Sequence, residues 1–178
     1  MKTSFQDGCN TIYDAIVSRG VTPENKTPDK MAYTIKNLLQ KIIYSITFTV
    51  KATGYASNNY GSVTATGIKT YVLKSDGTLT DSGLSSSNTN LISYISKCYI
   101  SNIALSGLSY DSLLNQVKFT ISVNLTVSNG ANTATSTATQ SFTLNNKSSV
   151  SSGNMSNSNG SLTYIHSMPI NGIIVSII

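Results

Sequence analysis

The sequence predicts an α+β protein, in which an N-terminal αα-hairpin precedes a mainly antiparallel β-sandwich, with an immunoglobulin-like arrangement as one form of that sandwich. Apolar residues follow a helical spacing up to about position 43 and a period of two from position 44 onward. The charge changes at the same place, because more than half of the charged residues lie before position 42 and only Lys147 follows Lys118. We therefore divide the chain into a helical docking module, 1–43, and a β-sandwich domain, 44–178.

Two amphipathic helices account for the first module. The second begins at Thr27-Pro28-Asp29, where a hydroxyl cap, a proline in the first turn and an acid near the positive end of the helix dipole combine. A pair of helices buries too little apolar surface to be stable alone. We expect it to dock on its own β domain or on another subunit, through residues of the two apolar faces: Ile12, Ile16, Met31, Ile35, Leu38 and Leu39.

The clearest β pattern is the alternation of apolar and polar residues over Val117–Val127, followed by Asn129-Gly130. Asn-Gly is a strong signal for a two-residue hairpin turn, because both central residues of a type I′ turn need positive φ. That turn would pair Leu125 with Ala134, leaving Thr and Ser side chains on the outer face of the sheet. This polar face accounts for part of an unusual composition, in which Ser, Thr and Asn fill 69 of the 178 positions.

The rest of the second module is predicted as further strands joined by polar loops. The C-terminal run of isoleucines either forms a central strand of this chain's sandwich or adds a strand to a neighbouring subunit. The predicted strands are Val63–Thr66, Lys69–Lys74, Leu91–Leu105, Leu162–His166 and Ile173–Ile178, and the predicted polar loops are Ser82–Asn90 and Asn145–Ser161.

The residues that catalysis requires are scarce. His166 is the single histidine, no pair of carboxylates is suggested, and no nucleotide or metal motif occurs. Cys9 and Cys98 are far apart and are interpreted as buried apolar residues rather than a disulfide or metal pair. We expect no enzymatic activity, cofactor or metal; a hydrolase would need a cleft around His166 with a carboxylate within reach.

The charge pattern argues against nucleic acid as a partner. The 12 Lys and Arg residues outnumber the 7 Asp and Glu residues, but they are scattered and include a single arginine, Arg19. Nucleic-acid surfaces instead cluster Lys and Arg on one face. The sequence also shows no apolar run long enough to span a membrane, and no apolar segment of a secretion signal near its start.

One segment has the composition of a recognition loop. Tyr55 and Tyr60 flank a short polar stretch that includes Asn58 and Asn59. Tyrosine combined with serine and asparagine is typical of adaptable binding surfaces. The alternative is that these tyrosines pack at the end of the β domain, since tyrosine also favours strands.

Ten positions of the N-terminal segment form a motif of apolar residues, threonines, prolines and one glycine: Ile12, Ile16, Gly20, Thr22, Pro23, Thr27, Pro28, Met31, Ile35 and Leu38. In this motif the segment resembles a helix–turn–helix-like hairpin of structural proteins from bacteriophages and prophages of Gram-positive hosts, among them tail-fibre, baseplate and accessory virion proteins. The resemblance covers about residues 9–42. The Ser/Thr/Asn-rich remainder is similar only in composition to phage decoration, fibre and head-surface domains.

The resemblance implies a non-enzymatic virion structural protein, made in the bacterial host cytoplasm and assembled into the particle. It would be a surface accessory component, either a capsid decoration or head-fibre protein or a tail or baseplate component. Its partners would be other virion proteins and, in a multicopy assembly, other copies of itself. The alternative is a host-surface glycan-binding module that uses Tyr55, Asn58, Asn59 and Tyr60.

Overall fold

The computed structural model describes residues 2–18, 22–43, 45–74, 77–111, 116–145 and 149–178. Two helices precede a chain that is mostly antiparallel β-strand, so the predicted α+β class is confirmed at that level. The chain divides into two compact units. The first contains Met1–Ser45 with Leu73–Thr78, and the second contains Ile46–Val72 with Leu79–Ile178.

The helices are α1, Lys2–Val17, and α2, Pro28–Ile43. The start of α2 is the one that the sequence predicted. Thr27 accepts the first helical hydrogen bond from the backbone N–H of Met31 at 3.0 Å, Pro28 is the first helical residue and Asp29 lies in the first turn.

A small apolar cluster joins the two helices. Cys9, Ile16 and Met31 are buried, and Tyr13 and Ile35 pack against them. Of the predicted docking residues, Ile16 and Met31 are therefore in contact with the neighbouring helix, whereas 46% of Ile12 remains exposed. The side chains of Leu38 and Leu39 lie outside the described residues.

The strands form two sheets. One has the order β3-β2-β1-β9, and the other has the order β4-β5-β6-β7 with β8 also paired to β6. The strands are β1 Ile46–Asn58, β2 Gly61–Leu73, β3 Leu79–Asn88, β4 Lys97–Asp111, β5 Gln116–Ser128, β6 Thr133–Asn145, β7 Ser149–Ser152, β8 Ser156–Ser158 and β9 Ile170–Ile177.

Buried side chains of the two sheets contact one another. The ring of Phe48 on β1 stacks on Phe119 of β5, with centroids 5.1 Å apart. At Gly67 on β2 the sheets approach so closely that an added Cβ would lie 2.6 Å from Ile100 of β4. Glycine is therefore required at this position by the contact with β4.

The predicted register between β5 and β6 is wrong by two residues. Leu125 pairs with Ser136 rather than with Ala134, because the connection has four residues rather than two. The Asn129 side chain sets this length: its Oδ1 accepts hydrogen bonds from the backbone N–H groups of Ala131 and Asn132 at 3.2 and 2.9 Å. A shift of two preserves the faces, so the predicted outer row of hydroxyls is present, with Thr126 opposite Thr135.

Several other boundaries also differ from the prediction. Most of the polar stretch Ser82–Asn90 belongs to β3, and the stretch Asn145–Ser161 contains β7 and β8. Most residues of these strands are exposed and polar, so they lack the alternation that identifies a strand. Leu162–His166 forms a turn rather than a strand, and the segment predicted as Leu91–Leu105 becomes strand only at Lys97.

The C-terminal strand pairs within the chain. β9 lies antiparallel to β1, with Val175 opposite Val50. Among the described strands, β9 pairs with β1 on one side and ends the strand order, so it is an edge strand and not the predicted central strand.

The β unit contains an internal duplication that the sequence analysis missed. Identical residues recur at the same distance along the sequence: Phe48 and Phe119, Ser57 and Ser128, Asn58 and Asn129, and Thr66 and Thr137. In each half, three strands lie side by side as an antiparallel meander, and a turn and one final strand follow them in the chain. The final strands are exchanged: β4 from the first half pairs with β5, and β9 from the second half pairs with β1.

Candidate functional site

A pocket of about 230 Å³ lies where the β1–β2 connection meets two turns, one before β4 and one before β9. Three of its side chains are tyrosines, which we call the tyrosine cluster: Tyr60, Tyr94 and Tyr164. Asn58, Asn59 and His166 complete the lining.

The three rings form one continuous surface. Tyr94 is central, with its ring centroid 5.6 Å from that of Tyr60 and 5.0 Å from that of Tyr164. The exposed fractions are 63% for Tyr60, 49% for Tyr94 and 65% for Tyr164. These distances fall within the range of favourable aromatic pairs, yet about half or more of each tyrosine remains exposed to solvent.

Two equivalent turns, one from each half of the duplication, carry two of these rings, Tyr94 and Tyr164. In the first, Ile95 donates its backbone N–H to the carbonyl of Ile92 at 2.9 Å; in the second, Ile165 donates to Leu162 at 3.1 Å. The third residue of each turn is the tyrosine, with φ 64° at Tyr94 and 66° at Tyr164. A type II turn has positive φ at this position, where glycine is the usual residue.

Matching hydrogen bonds hold the two turns to the hairpin connections. Asn58 donates its Nδ2 to the carbonyl of Ser93 at 2.7 Å, and its counterpart Asn129 donates to the carbonyl of Thr163 at 3.2 Å. The residue after each turn donates its backbone N–H across to the other half, from Ser96 to Ser128 and from His166 to Ser57, both at 2.8 Å.

Buried isoleucines anchor the turns from below. Ile95 and Ile165, which follow the two tyrosines, are 1% and 9% exposed. Each turn is thus fixed by one buried side chain and by hydrogen bonds on either side, which keeps the tyrosine in its left-handed conformation. That conformation costs about 1–2 kcal/mol for a residue with a Cβ.

The structure brings together three of the four predicted recognition residues. Asn58, Asn59 and Tyr60 line the pocket. Tyr55 is not among the lining residues; it lies half-buried in β1 and donates its backbone N–H to the carbonyl of Pro169 at 3.1 Å.

Sequence reasoning missed Tyr94, Tyr164 and His166 as parts of the site. A repeated four-residue pattern in the sequence could have revealed the two tyrosines: an aliphatic residue, then Ser or Thr, then Tyr, then Ile. It occurs at Ile92–Ile95 and again at Leu162–Ile165. A tyrosine preserved in both copies of a duplicated turn is an indication of a shared role.

The pocket combines aromatic and neutral polar groups. Its lining supplies aromatic faces, two amide side chains and one imidazole, and it includes no carboxylate to work with His166. Across the described residues, no group of three or more His, Cys, Asp or Glu side chains is placed to hold a metal ion. Within the same residues, no helix has the length and apolar character to cross a membrane.

Two buried titratable groups with raised pKa values, Cys98 and Tyr71, lie in the core of the β unit. Cys98 is fully buried, and burial raises the pKa of its thiol to about 11. Burial likewise raises the pKa of Tyr71 to about 12, with a smaller contribution from the negative charge of Asp81. Cys9 and Cys98 are both free and buried, as the sequence predicted.

No family model, curated protein or solved structure matches this chain.

Proposed function

We propose that the chain is a non-enzymatic structural protein of a bacteriophage particle, a surface accessory component of the capsid or of the tail and baseplate. It would be made in the bacterial host cytoplasm and assembled in several copies with other virion proteins. The observation that carries the proposal is the division of the chain. The phage-like motif ends near residue 42, and the first unit's N-terminal segment ends at Ser45.

In this proposal the two helices form an αα-hairpin that docks to the particle, and the β unit is a sandwich that faces outward. The stacking of Phe48 on Phe119 and the close approach at Gly67 support a sandwich. The immunoglobulin-like option is weaker, because the orders β3-β2-β1-β9 and β4-β5-β6-β7 differ from that of immunoglobulin domains.

The docking surface would lie on the exposed part of α1. Ile16 and Met31 are buried between the helices, so they would support the hairpin rather than contact the particle. Phe5 and Ile12 are 65% and 46% exposed. They are seven residues apart and so share one side of the helix.

Virion incorporation of full-length variants tests this proposal. We expect Ile12→Glu to reduce the amount of protein in purified particles at least about tenfold, because a charge in a desolvated contact opposes binding. Gln6→Glu, at an exposed position on the same helix, is the control and should be incorporated normally. Normal occupancy of Ile12→Glu would exclude this docking face, and absence of the wild-type protein from particles would exclude the virion role.

A second candidate function is favoured by the tyrosine cluster, namely recognition of a host-surface glycan. Exposed aromatic rings fixed in a defined arrangement are suited to binding, whereas a purely structural surface protein does not need them. The two functions are compatible, because the helices would anchor the protein and the β unit would carry the pocket.

A further inference from the structure

We infer that the tyrosine cluster binds an uncharged carbohydrate, with a pyranose ring stacked on the exposed tyrosine faces and its hydroxyl groups bonded to Asn59 and His166. This inference rests on the second candidate function, recognition, and is independent of docking by the helices.

The backbone of the two turns indicates that this surface has a function. Left-handed tyrosines are disfavoured, yet both copies of the turn carry one, at Tyr94 and Tyr164. Burial does not compensate for the cost, since 49% and 65% of these residues are exposed. Glycine would form the same turn without strain. The retention of two strained tyrosines with touching rings points to a contact made outside the chain.

The shape and chemistry of the pocket favour a sugar. A pyranose ring has an apolar C–H face, which stacks on an aromatic ring, and a rim of hydroxyl groups that need hydrogen-bond partners. The exposed tyrosine rings supply the first, and Asn59 and His166, both exposed at the edge of the pocket, supply the second. The volume of about 230 Å³ is below the roughly 300–1,000 Å³ of pockets for drug-sized ligands, which suits one sugar unit of a chain.

The lining also argues against other ligands that stack on aromatic rings. It contains no Lys, Arg, Asp or Glu, whereas single-stranded nucleic acids require a positively charged groove. An anionic polysaccharide would likewise lack a cationic partner. A proline-rich peptide binds in an extended conformation along a groove of several residues, which is longer than this pocket.

Asn58 acts as a positioning residue. Its Nδ2 donates to the carbonyl of Ser93 and its Oδ1 accepts the backbone N–H of Tyr60 at 2.8 Å, so both ends of the amide are used within the chain. One side chain thus fixes the connection that carries Tyr60 and the turn that carries Tyr94.

The test uses the full-length protein and a panel of neutral oligosaccharides built from glucose, galactose, mannose, rhamnose, N-acetylglucosamine or N-acetylgalactosamine. Hexagalacturonate and a proline decamer represent the anionic and peptide alternatives. Because the chain has ten tyrosines and no tryptophan, intrinsic fluorescence reports directly on tyrosine, and saturation-transfer NMR identifies the bound sugar protons.

We expect saturable binding of at least one neutral oligosaccharide. Tyr164→Ala should weaken it about tenfold or more, as the removal of an aromatic anchor does. Tyr164→Phe, which keeps the ring, should stay within about threefold of the wild type. Tyr33→Ala is the matched control, because Tyr33 is 66% exposed on a helix and lies outside the pocket. It should bind as the wild type does.

Three outcomes would overturn the inference: no neutral oligosaccharide binds at millimolar concentration, Tyr164→Ala binds as well as the wild type, or only hexagalacturonate or the proline decamer binds. Particle incorporation of Tyr164→Ala separates this inference from the virion role. Normal incorporation without any sugar binding in the wild type would refute the carbohydrate site and leave the virion role standing.

Discussion

Substitution of Tyr164 by glycine should give a more stable protein than substitution by alanine. Both changes remove the ring and its contact with Tyr94, which is worth about 0.5–1.5 kcal/mol, so that loss cancels in the comparison. The difference between the two variants then reports on the backbone, where φ is 66°.

The expected size follows from two opposing contributions. Glycine relieves about 1–2 kcal/mol of left-handed strain that alanine retains. Glycine also gives the unfolded chain more conformational freedom, which costs about 0.4–1 kcal/mol relative to alanine. The net advantage of Tyr164→Gly over Tyr164→Ala is therefore about 0.8 kcal/mol in the free energy of unfolding, within a range of about 0–1.6 kcal/mol.

Urea unfolding of both full-length variants, followed by tyrosine fluorescence, measures this difference. The same pair of substitutions at Tyr99 is the control, since Tyr99 lies within β4 and has no positive φ. There the order should reverse, with glycine less stable than alanine by roughly 0.5–1 kcal/mol. If Tyr164→Ala proves more stable than Tyr164→Gly, as expected at Tyr99, the turn is not strained, and its backbone no longer indicates a function for the tyrosine cluster.

Two further predictions concern the core. Gly67→Ala should lower the free energy of unfolding, measured by urea titration, by about 1–3 kcal/mol, because the new Cβ would lie 2.6 Å from Ile100. Gly172→Ala is the control: its Cβ would meet nothing within 4 Å, so the free energy of unfolding should change little. The free energy of unfolding should fall as the pH rises above about 9. Folding raises the pKa of Cys98 from 9.0 to about 11 and that of Tyr71 from 10.0 to about 12. The folded protein therefore binds these two protons more tightly than the unfolded chain does, and it loses this stabilisation as the groups deprotonate. Urea midpoints between pH 8 and 11 measure this effect, and Cys98→Ala should reduce the slope between pH 9 and 11; an unchanged slope would contradict the assignment.

The sequence predicted best those features that depend on neighbouring residues. The start of α2 follows from three adjacent residues, Thr27-Pro28-Asp29, and the structure places it there. The faces of β5 and β6 follow from a period of two. Their register could not be predicted, because it depends on how the Asn129 side chain folds back on its own loop.

Features that depend on distant parts of the chain were missed. β3 lacks the alternation of apolar and polar residues that predicts a strand. It forms because it pairs with β2 at the edge of a sheet, and its amino-acid composition does not indicate that pairing. The tyrosine cluster was found only in part, at Tyr60. The turns that carry Tyr94 and Tyr164 are far apart in the sequence and meet only in the folded chain, which no local pattern encodes.

The exchange of β4 and β9 makes the two halves of the β unit mutually dependent. Without the other half, each meander would present a bare edge, β1 in one sheet and β5 in the other, where a strand now lies. A chain cut between the halves would still be held together by two inter-half ladders, β1 with β9 and β4 with β5. Proteolytic nicking there would thus leave the pieces assembled, a form of durability that comes from strand pairing between the halves.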